Sequence, residues 1–336
     1  MKRLLLVLSL LGLAAAPVAR AQIELLNASY DISRELFAEI NAAFIPAYKA
    51  SGGGDVVIKQ SHGGSSKQAR SVLEGLKADV VTFNQVNDVQ LLADNTFVAK
   101  DWARRFPHDS SPYYSVHSIL VRKGNPKGIK DWADLAKPGV SIVQVNPKTG
   151  GNGRYAVLAY YAAGLEASGG DAAKARALLK KILANVVVFE AGGRTATSTF
   201  TEREIGDVLV TFEAETLALA RAPGSAFEVI TPSVSVLAEF PVAVVDKVAK
   251  KRGTAAAAKA YLDFLYSPRG QDIVAKNYYR PRDADAAARY AAQLAPVKTV
   301  EVGPFFGGWE KVTAEFFANG ALVDVLLKEV AAERIN

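Results

Sequence analysis

Short apolar runs rich in β-branched residues alternate with segments of helical spacing along most of the chain, and no other feature restricts the fold as much. Ile23 to Ala28, Val56 to Lys59 and Asp79 to Phe83 have strand composition. Between and after them, Asp31 to Lys49 sets Leu36, Ile40 and Phe44 on one stripe, while Ser65 to Leu76 and Asn87 to Ala93 keep the same period. Parallel neighbours can be joined only by a crossover, so this succession predicts a mostly parallel sheet with helices on both faces. Ligands of such sheets bind beyond the carboxyl ends of the strands. The strand-to-helix junctions are therefore the places to search.

A turn-rich break from Phe106 to Pro112 ends the first run, and Val116 to Arg122 reads as a strand leaving it. A second α/β run follows. Helical spacing covers Trp132 to Leu135, Gly151 to Gly164, Ala172 to Leu183, Arg194 to Ile205 and Glu213 to Ala222. Strand composition covers Ser141 to Val145, Val186 to Phe189, Asp207 to Thr211 and Phe227 to Ile230. Val234 to Val245, interrupted by Pro241, suits a return crossing, and the rest is mostly helical, including Gly270 to Asn277 and Trp309 to Glu333. A chain of 336 residues is long enough for two cores. The expected plan is one lobe from 22–112 with 240–336, a second from 113–239, and a cleft between them. The carboxyl-terminal segment is free to touch both.

Four junctions share a composition. They are Ser29-Tyr30-Asp31, Gln60-Ser61-His62-Gly63-Gly64-Ser65-Ser66-Lys67-Gln68, Asn146-Pro147-Lys148-Thr149-Gly150-Gly151-Asn152-Gly153, and Ala191-Gly192-Gly193 ahead of Arg194. Two fall in each expected lobe. A helix start leaves its first N–H groups without intrahelical partners and carries partial positive charge, so an anion placed there is both hydrogen-bonded and electrostatically favoured. Gly63 and Gly64 allow close backbone approach, and the hydroxyls of Ser65 and Ser66 can cap the helix or reach the anion. Each junction alone is an ordinary turn. Aimed together into one cleft, they enclose an anion with neutral donors and no countercharge.

Met1 to Ala21 reads as an export signal: Lys2 and Arg3, an apolar run from Leu4 to Ala16, and Ala19-Arg20-Ala21 as a cleavage pattern before Gln22. The apolar run is short for a membrane span. The expected location is the periplasm, with cleavage after Ala21. With no cysteine, the chain has no lipobox, disulfide, thiolate metal site or thiol nucleophile. Losing Lys2, Arg3 and Arg20 lowers the formal net charge from +6 to +3. Basic residues cluster only at Lys247 to Arg252, which a solvated helix end explains, so nucleic acid is not an expected partner. Ser61 or Ser65, His62 and Asp31 or Asp79 hold the residue types of a hydrolytic triad, but no nucleophile-elbow pattern surrounds them. Tyr278-Tyr279 is a pair of the kind that can hold ferric iron, although packing explains it as well. His62, His108 and His117 lack metal-ligand spacing. No cofactor, no metal and no enzymatic activity are expected.

Several motifs occur in the order found in one family. Besides the junctions, they are Ala-Asp-Val-Val-Thr at 78–82, Val-Arg-Lys-Gly-Asn-Pro-Lys at 121–127, Ile-Gly-Asp-Val-Leu at 205–209, Leu-Ala-Glu-Phe-Pro-Val at 237–242 and Asn-Tyr-Tyr-Arg-Pro-Arg-Asp at 277–283. Over nearly the whole chain after residue 21, the sequence resembles the periplasmic sulfate/thiosulfate-binding proteins of ATP-driven ABC importers. The resemblance implies a two-lobed type II binding-protein fold with hinge strands and a dehydrated tetrahedral dianion held by neutral donors. It also implies an inner-membrane permease as partner and a monomer. Carried over by position, the family's donors fall on the main chain of Asp31, the hydroxyl of Ser65, Gly150, Gly151 and Asn152, and the main chain of Gly193.

The chain departs from the sulfate-binding branch in three places: Gly150 stands where Ser is usual, Asn152 where that branch has Gly, and Phe212 where a Trp supplies an indole N–H. Phe212, Thr82-Phe-Asn-Gln-Val86 and Phe189-Glu-Ala-Gly-Gly-Arg194 are closer to the thiosulfate-binding branch. The expectation is thiosulfate with sulfate also bound, Phe212 lying against the polarisable sulfur; Phe212 as a core aromatic is the other reading. Molybdate, phosphate and ferric iron are the alternative ligands. Asp31 is expected to turn its carboxylate from the ligand and cap its own helix.

Overall fold

A computed structural model describes residues 22–335, so the expected signal segment and its cleavage point lie outside the described residues. The strands in chain order are β1 (Ile23–Tyr30), β2 (Val56–Gly63), β3 (Val80–Thr82), β4 (Tyr113–Ser115), β5 (His117–Arg122), β6 (Ile142–Val145) and β7 (Val186–Glu190). They continue with β8 (Val208–Phe212), β9 (Phe227–Ile230), β10 (Val234–Val236), β11 (Ala238–Glu239), β12 (Val242–Val244), β13 (Arg280–Pro281) and β14 (Lys298–Val300).

Two sheets carry the molecule. The first has the order β12-β3-β1-β2, with β1 parallel to both β2 and β3 and β12 antiparallel on the edge. The second has the order β7-β6-β8-β5-β9, with β6 parallel to β7 and β8, and β5 antiparallel to β8 and β9. The antiparallel members have one cause. β5 and β12 are the strands by which the chain enters each lobe, so they start where the others finish: His117 faces Phe212 and Val242 faces Thr82. The remaining strands point their carboxyl ends at the space between the lobes.

β11-β4-β13 form a small antiparallel sheet between the lobes, with Ser115 opposite Ala238 and Tyr114 opposite both Glu239 and Arg280. The sequence marked the first two crossings; the third, at Arg280–Pro281, has only two residues and no periodicity to show. An aromatic cluster fills the space beneath it. Phe240 lies 5.0 Å from Tyr30, 5.3 Å from Tyr113, 5.1 Å from Phe212 and 5.4 Å from Tyr279 between ring centroids, joining both lobes in one apolar core.

After this third crossing the chain runs on to the second sheet's side. β14 pairs with β10, and the helix Leu322–Ile335 lies along Ala172–Ala184, where Lys180 bridges Glu329 at 3.2 Å and Glu333 at 2.6 Å. The segment also reaches the first lobe, Asn87 Nδ2 donating to Thr313 Oγ1 at 2.8 Å. The single helix expected from Trp309 to Glu333 is broken: a π turn spans Thr313–Phe317, and Gly320 at φ +78° changes the chain direction before Leu322. The first helix begins with a 3-10 turn, Asp31–Ser33, ahead of Arg34–Ala50.

Candidate functional site

All four junctions sit at carboxyl ends of strands and face one another. In the first lobe, Asp31 follows β1, and Gly64 precedes the helix Ser65–Leu73. In the second, Gly151 opens the helix Gly151–Ser168 after β6, and Gly193 opens Gly193–Thr201 after β7. How near they come is read from a methyl built on each glycine. On Gly192 it would lie 2.5 Å from Asp31 Oδ2, on Gly193 2.8 Å from Ile32 Cγ2, on Gly151 2.8 Å from Asn84 O, and on Gly64 3.6 Å from Ala191 O. Each pair spans the cleft, and at Gly151 and Gly64 the facing atom is itself backbone. Here the absent side chain, more than the φ angle, is what the position requires.

Two of the helix starts are left open. Neither Gly64 nor Gly150, the residues preceding the two longer glycine-rich starts, carries a side chain that could cap the helix. Ser65 is 1% exposed, and its Oγ makes no hydrogen bond of ordinary geometry. Its neighbour Ser66 donates to Asp88 Oδ2 at 3.1 Å. Burial raises the Asp88 carboxyl above its usual range, opposed by the guanidinium of Arg154 across the cleft and by the Ser65 and Ser66 hydroxyls. Arg154, one residue past the third junction, thus already faces a carboxylate of the opposite lobe. Arg194 likewise binds Glu35, its Nη2 within 2.9 Å of Oε2.

Three of the expected donors prove more constrained than their residue types suggest. Gly150 spends its N–H on Asn146 O at 3.1 Å, closing the turn that precedes the helix. Asn152 is oriented from within its lobe, its Oδ1 accepting from His117 Nε2 at 3.0 Å and its Nδ2 donating to Thr211 Oγ1 at 2.8 Å. Because Oδ1 can only accept, His117 carries its proton on Nε2. Burial pushes that imidazole down to about 4, so it is neutral at pH 7. Asp31 does not cap its own helix. Its Oδ2 crosses the cleft to accept from Arg194 N–H at 3.1 Å, at the start of the facing helix, whose positive end favours it.

Phe212 ends β8 fully buried, 4.6 Å from the His117 ring, 6.2 Å from Tyr155 and 5.1 Å from Phe240. It belongs to the aromatic floor and reaches Asn152 through His117. The triad candidates are not assembled. Asp79 lies at the opposite end of β3 from the cleft, held by Arg252 Nη1 and Thr254 Oγ1 at 2.5 Å each, and Ser61 Oγ bonds Gln68 Oε1 at 3.2 Å. Tyr278 and Tyr279 diverge: Tyr279 enters the aromatic cluster, while Arg221 covers the Tyr278 ring at 5.1 Å. Among the described residues no group of three His, Cys, Asp or Glu side chains is placed to hold a metal.

One junction was missed. β3 leads through Phe83, Asn84 and Gln85 into the helix Val86–Asp94, and this third start in the first lobe abuts Gly151. It has no glycine, so composition hid it; the strand-then-helix pattern was its only signal.

The profile of the bacterial extracellular solute-binding proteins matches residues 28–280. The chain belongs to this family. Its relatives include the sulfate-binding protein of Escherichia coli K12, 49% identical over 94% of this chain and 96% of that one. The thiosulfate-binding protein of Pseudomonas aeruginosa PAO1 is 50% identical over 93% and 95% of the two chains. In structure, the solute-binding protein resembles the sulfate-binding protein SubI of Mycobacterium tuberculosis H37Rv, with a TM-score of 0.79 and 30% identity over 88% of this chain and 99% of that one. Proteins of this family bind solutes for transport; they are not enzymes.

Proposed function

We propose that this solute-binding protein captures sulfate or thiosulfate between its lobes and delivers it to an ATP-driven importer in the inner membrane. One observation carries the reading: uncapped helix starts from both lobes converge at backbone distance, and the nearby cations Arg154 and Arg194 already face carboxylates. Such a cage suits an anion that only accepts hydrogen bonds. Sulfate and thiosulfate are fully ionised at neutral pH, whereas phosphate often keeps a proton, which would face another donor and leave a buried polar group unpaired at a cost of about 1–3 kcal/mol.

The donors in this reading are the main chain of Asp31, Gly151, Asn152 and Gly193 and the hydroxyl of Ser65, with Gly150 shaping the loop. Phe212 supplies an apolar wall in place of an indole donor, which favours the sulfur corner of thiosulfate. The protein works in the periplasm as a monomer, released by cleavage after Ala21. Its lobes are 22–112 with 240–336 and 113–239, the carboxyl-terminal residues touching both. Closure around the anion is what the permease recognises.

Titration calorimetry of the purified, dialysed protein with thiosulfate, sulfate, molybdate and phosphate tests this. Tight binding of the first two with weak or no binding of phosphate is expected. Binding of neither sulfur oxyanion overturns the proposal.

A further inference from the structure

Gln85 is completely buried, and neither Oε1 nor Nε2 of its side chain has a hydrogen-bond partner. It precedes the helix Val86–Asp94 in extended conformation, φ −152° and ψ 121°, without capping it. A methyl on Gly151 would lie 2.8 Å from Gln85 Oε1 and 2.9 Å from its Cβ, so the side chain rests against the opening turn of a helix in the opposite lobe. An unpaired carboxamide buried among protein atoms costs about 1–3 kcal/mol for each group left unsatisfied. Neither the packing of the first lobe nor the Gly151 turn relieves that cost.

We propose that Gln85 is a further ligand-contacting, specificity-determining residue, whose carboxamide donates an N–H to the tetrahedral anion from the third helix start of the first lobe. The inference rests on the anion-binding reading above and deepens it. A carboxamide is neutral, so it adds a donor without a countercharge. Turning the end of the side chain over exchanges Oε1 and Nε2, and a dianion in the cleft selects the orientation that presents the NH₂. Unlike a backbone N–H, this donor sits on a side chain with several rotatable bonds. It can draw back from the larger terminal sulfur of thiosulfate or advance on a sulfate oxygen, which makes it the most adjustable member of a set otherwise made of backbone N–H groups and the short Ser65 side chain.

The purified protein and its Ser65→Ala, Gln85→Met and Gln85→Glu variants are titrated with sodium thiosulfate and sodium sulfate, with ligand-free melting curves as the folding control. A hydrogen bond to a charged partner corresponds to roughly a 10- to 100-fold change in affinity. Gln85→Met is expected to lose that much for at least one anion and to alter the thiosulfate-to-sulfate ratio. Gln85→Glu, which sets a carboxylate against a dianion, should lose more than about 100-fold for both. The unsubstituted protein gives an independent reading: its Gln85 side-chain NH₂ resonance, assigned by its disappearance in Gln85→Met, should shift on addition of either anion. If Ser65→Ala weakens binding while Gln85→Met binds both anions normally and the resonance stays in place, Gln85 is not a contact and the anion site survives. If the unsubstituted protein binds neither anion, both conclusions fall.

Discussion

Gly151→Ala isolates closure of the cleft from folding of either lobe. The added methyl meets Asn84 O at 2.8 Å and Gln85 Cβ at 2.9 Å, both on the facing lobe. The first is a backbone atom and cannot swing aside. Restoring ordinary contact at about 3.4 Å parts the lobes locally by about 0.6 Å. Donors near 2.9 Å from an anion held by the other lobe would then stand near 3.5 Å, at the limit of hydrogen bonding. Losing two charge-assisted bonds of about 1.5–3 kcal/mol each weakens binding by roughly 10²- to 10⁴-fold. The ligand-free protein has no such conflict once the lobes separate, and Ala is a better helix residue than Gly by up to about 1 kcal/mol, so the melting temperature should hold or rise slightly. Calorimetry with thiosulfate and sulfate, beside melting curves without ligand, reads both quantities. Gly151→Asp should be worse still, because it adds a negative charge. Normal affinity in Gly151→Ala would refute the cross-cleft contact as a condition for binding, and a large fall in melting temperature would show that the glycine serves its own lobe instead.

Ser65→Ala removes a buried hydroxyl that makes no hydrogen bond of ordinary geometry within the protein, and a roughly 10- to 100-fold loss of affinity with little change in melting is expected in the same titration. Phe212→Trp should move the thiosulfate-to-sulfate affinity ratio towards sulfate by restoring an indole donor; an unchanged ratio assigns Phe212 to the core alone. His117, held down to about 4 in the fold against about 6.5 when unfolded, takes up a proton more readily in the unfolded chain. Its contribution is therefore complete above pH 6.5 and is lost as the pH falls towards 4, by up to about 3 kcal/mol. Urea unfolding at pH 7, 5.5 and 4 should show this slope flattened in His117→Gln; equal slopes would mean that His117 is not responsible. Glu35→Gln breaks an ion pair between partly exposed groups, so its effect on affinity should stay below about fivefold and shrink in high salt, as titrations at two ionic strengths will show.

Apolar periodicity revealed the two α/β runs, because alternating strands and helices leave a local trace in residue type. It could not show that β5 and β12 run against their neighbours, since strand direction depends on where the chain enters the sheet. The junctions rich in Gly and Ser were visible for the same local reason. Gln85 was not, because a long amide in a turn looks like any surface residue until the opposite lobe buries it. Asp31 was legible as a junction residue, yet its carboxylate went to Arg194 N–H, 163 positions away in the chain.

What residue order alone settled was the chemistry on offer: no thiols, no cation cluster apart from Lys247 to Arg252, and helix openings that present backbone N–H groups. Its ordered motifs also pointed to the family that the comparison later established. What only the folded chain decided was which of those groups meet. Gly150 turned inward to Asn146, Asn152 was claimed by His117 and Thr211, and Gly151 came against Asn84 and Gln85. Local composition sets which hydrogen bonds a residue can make, whereas the partner it finds depends on segments that only folding, within a lobe or across the cleft, brings within about 3 Å.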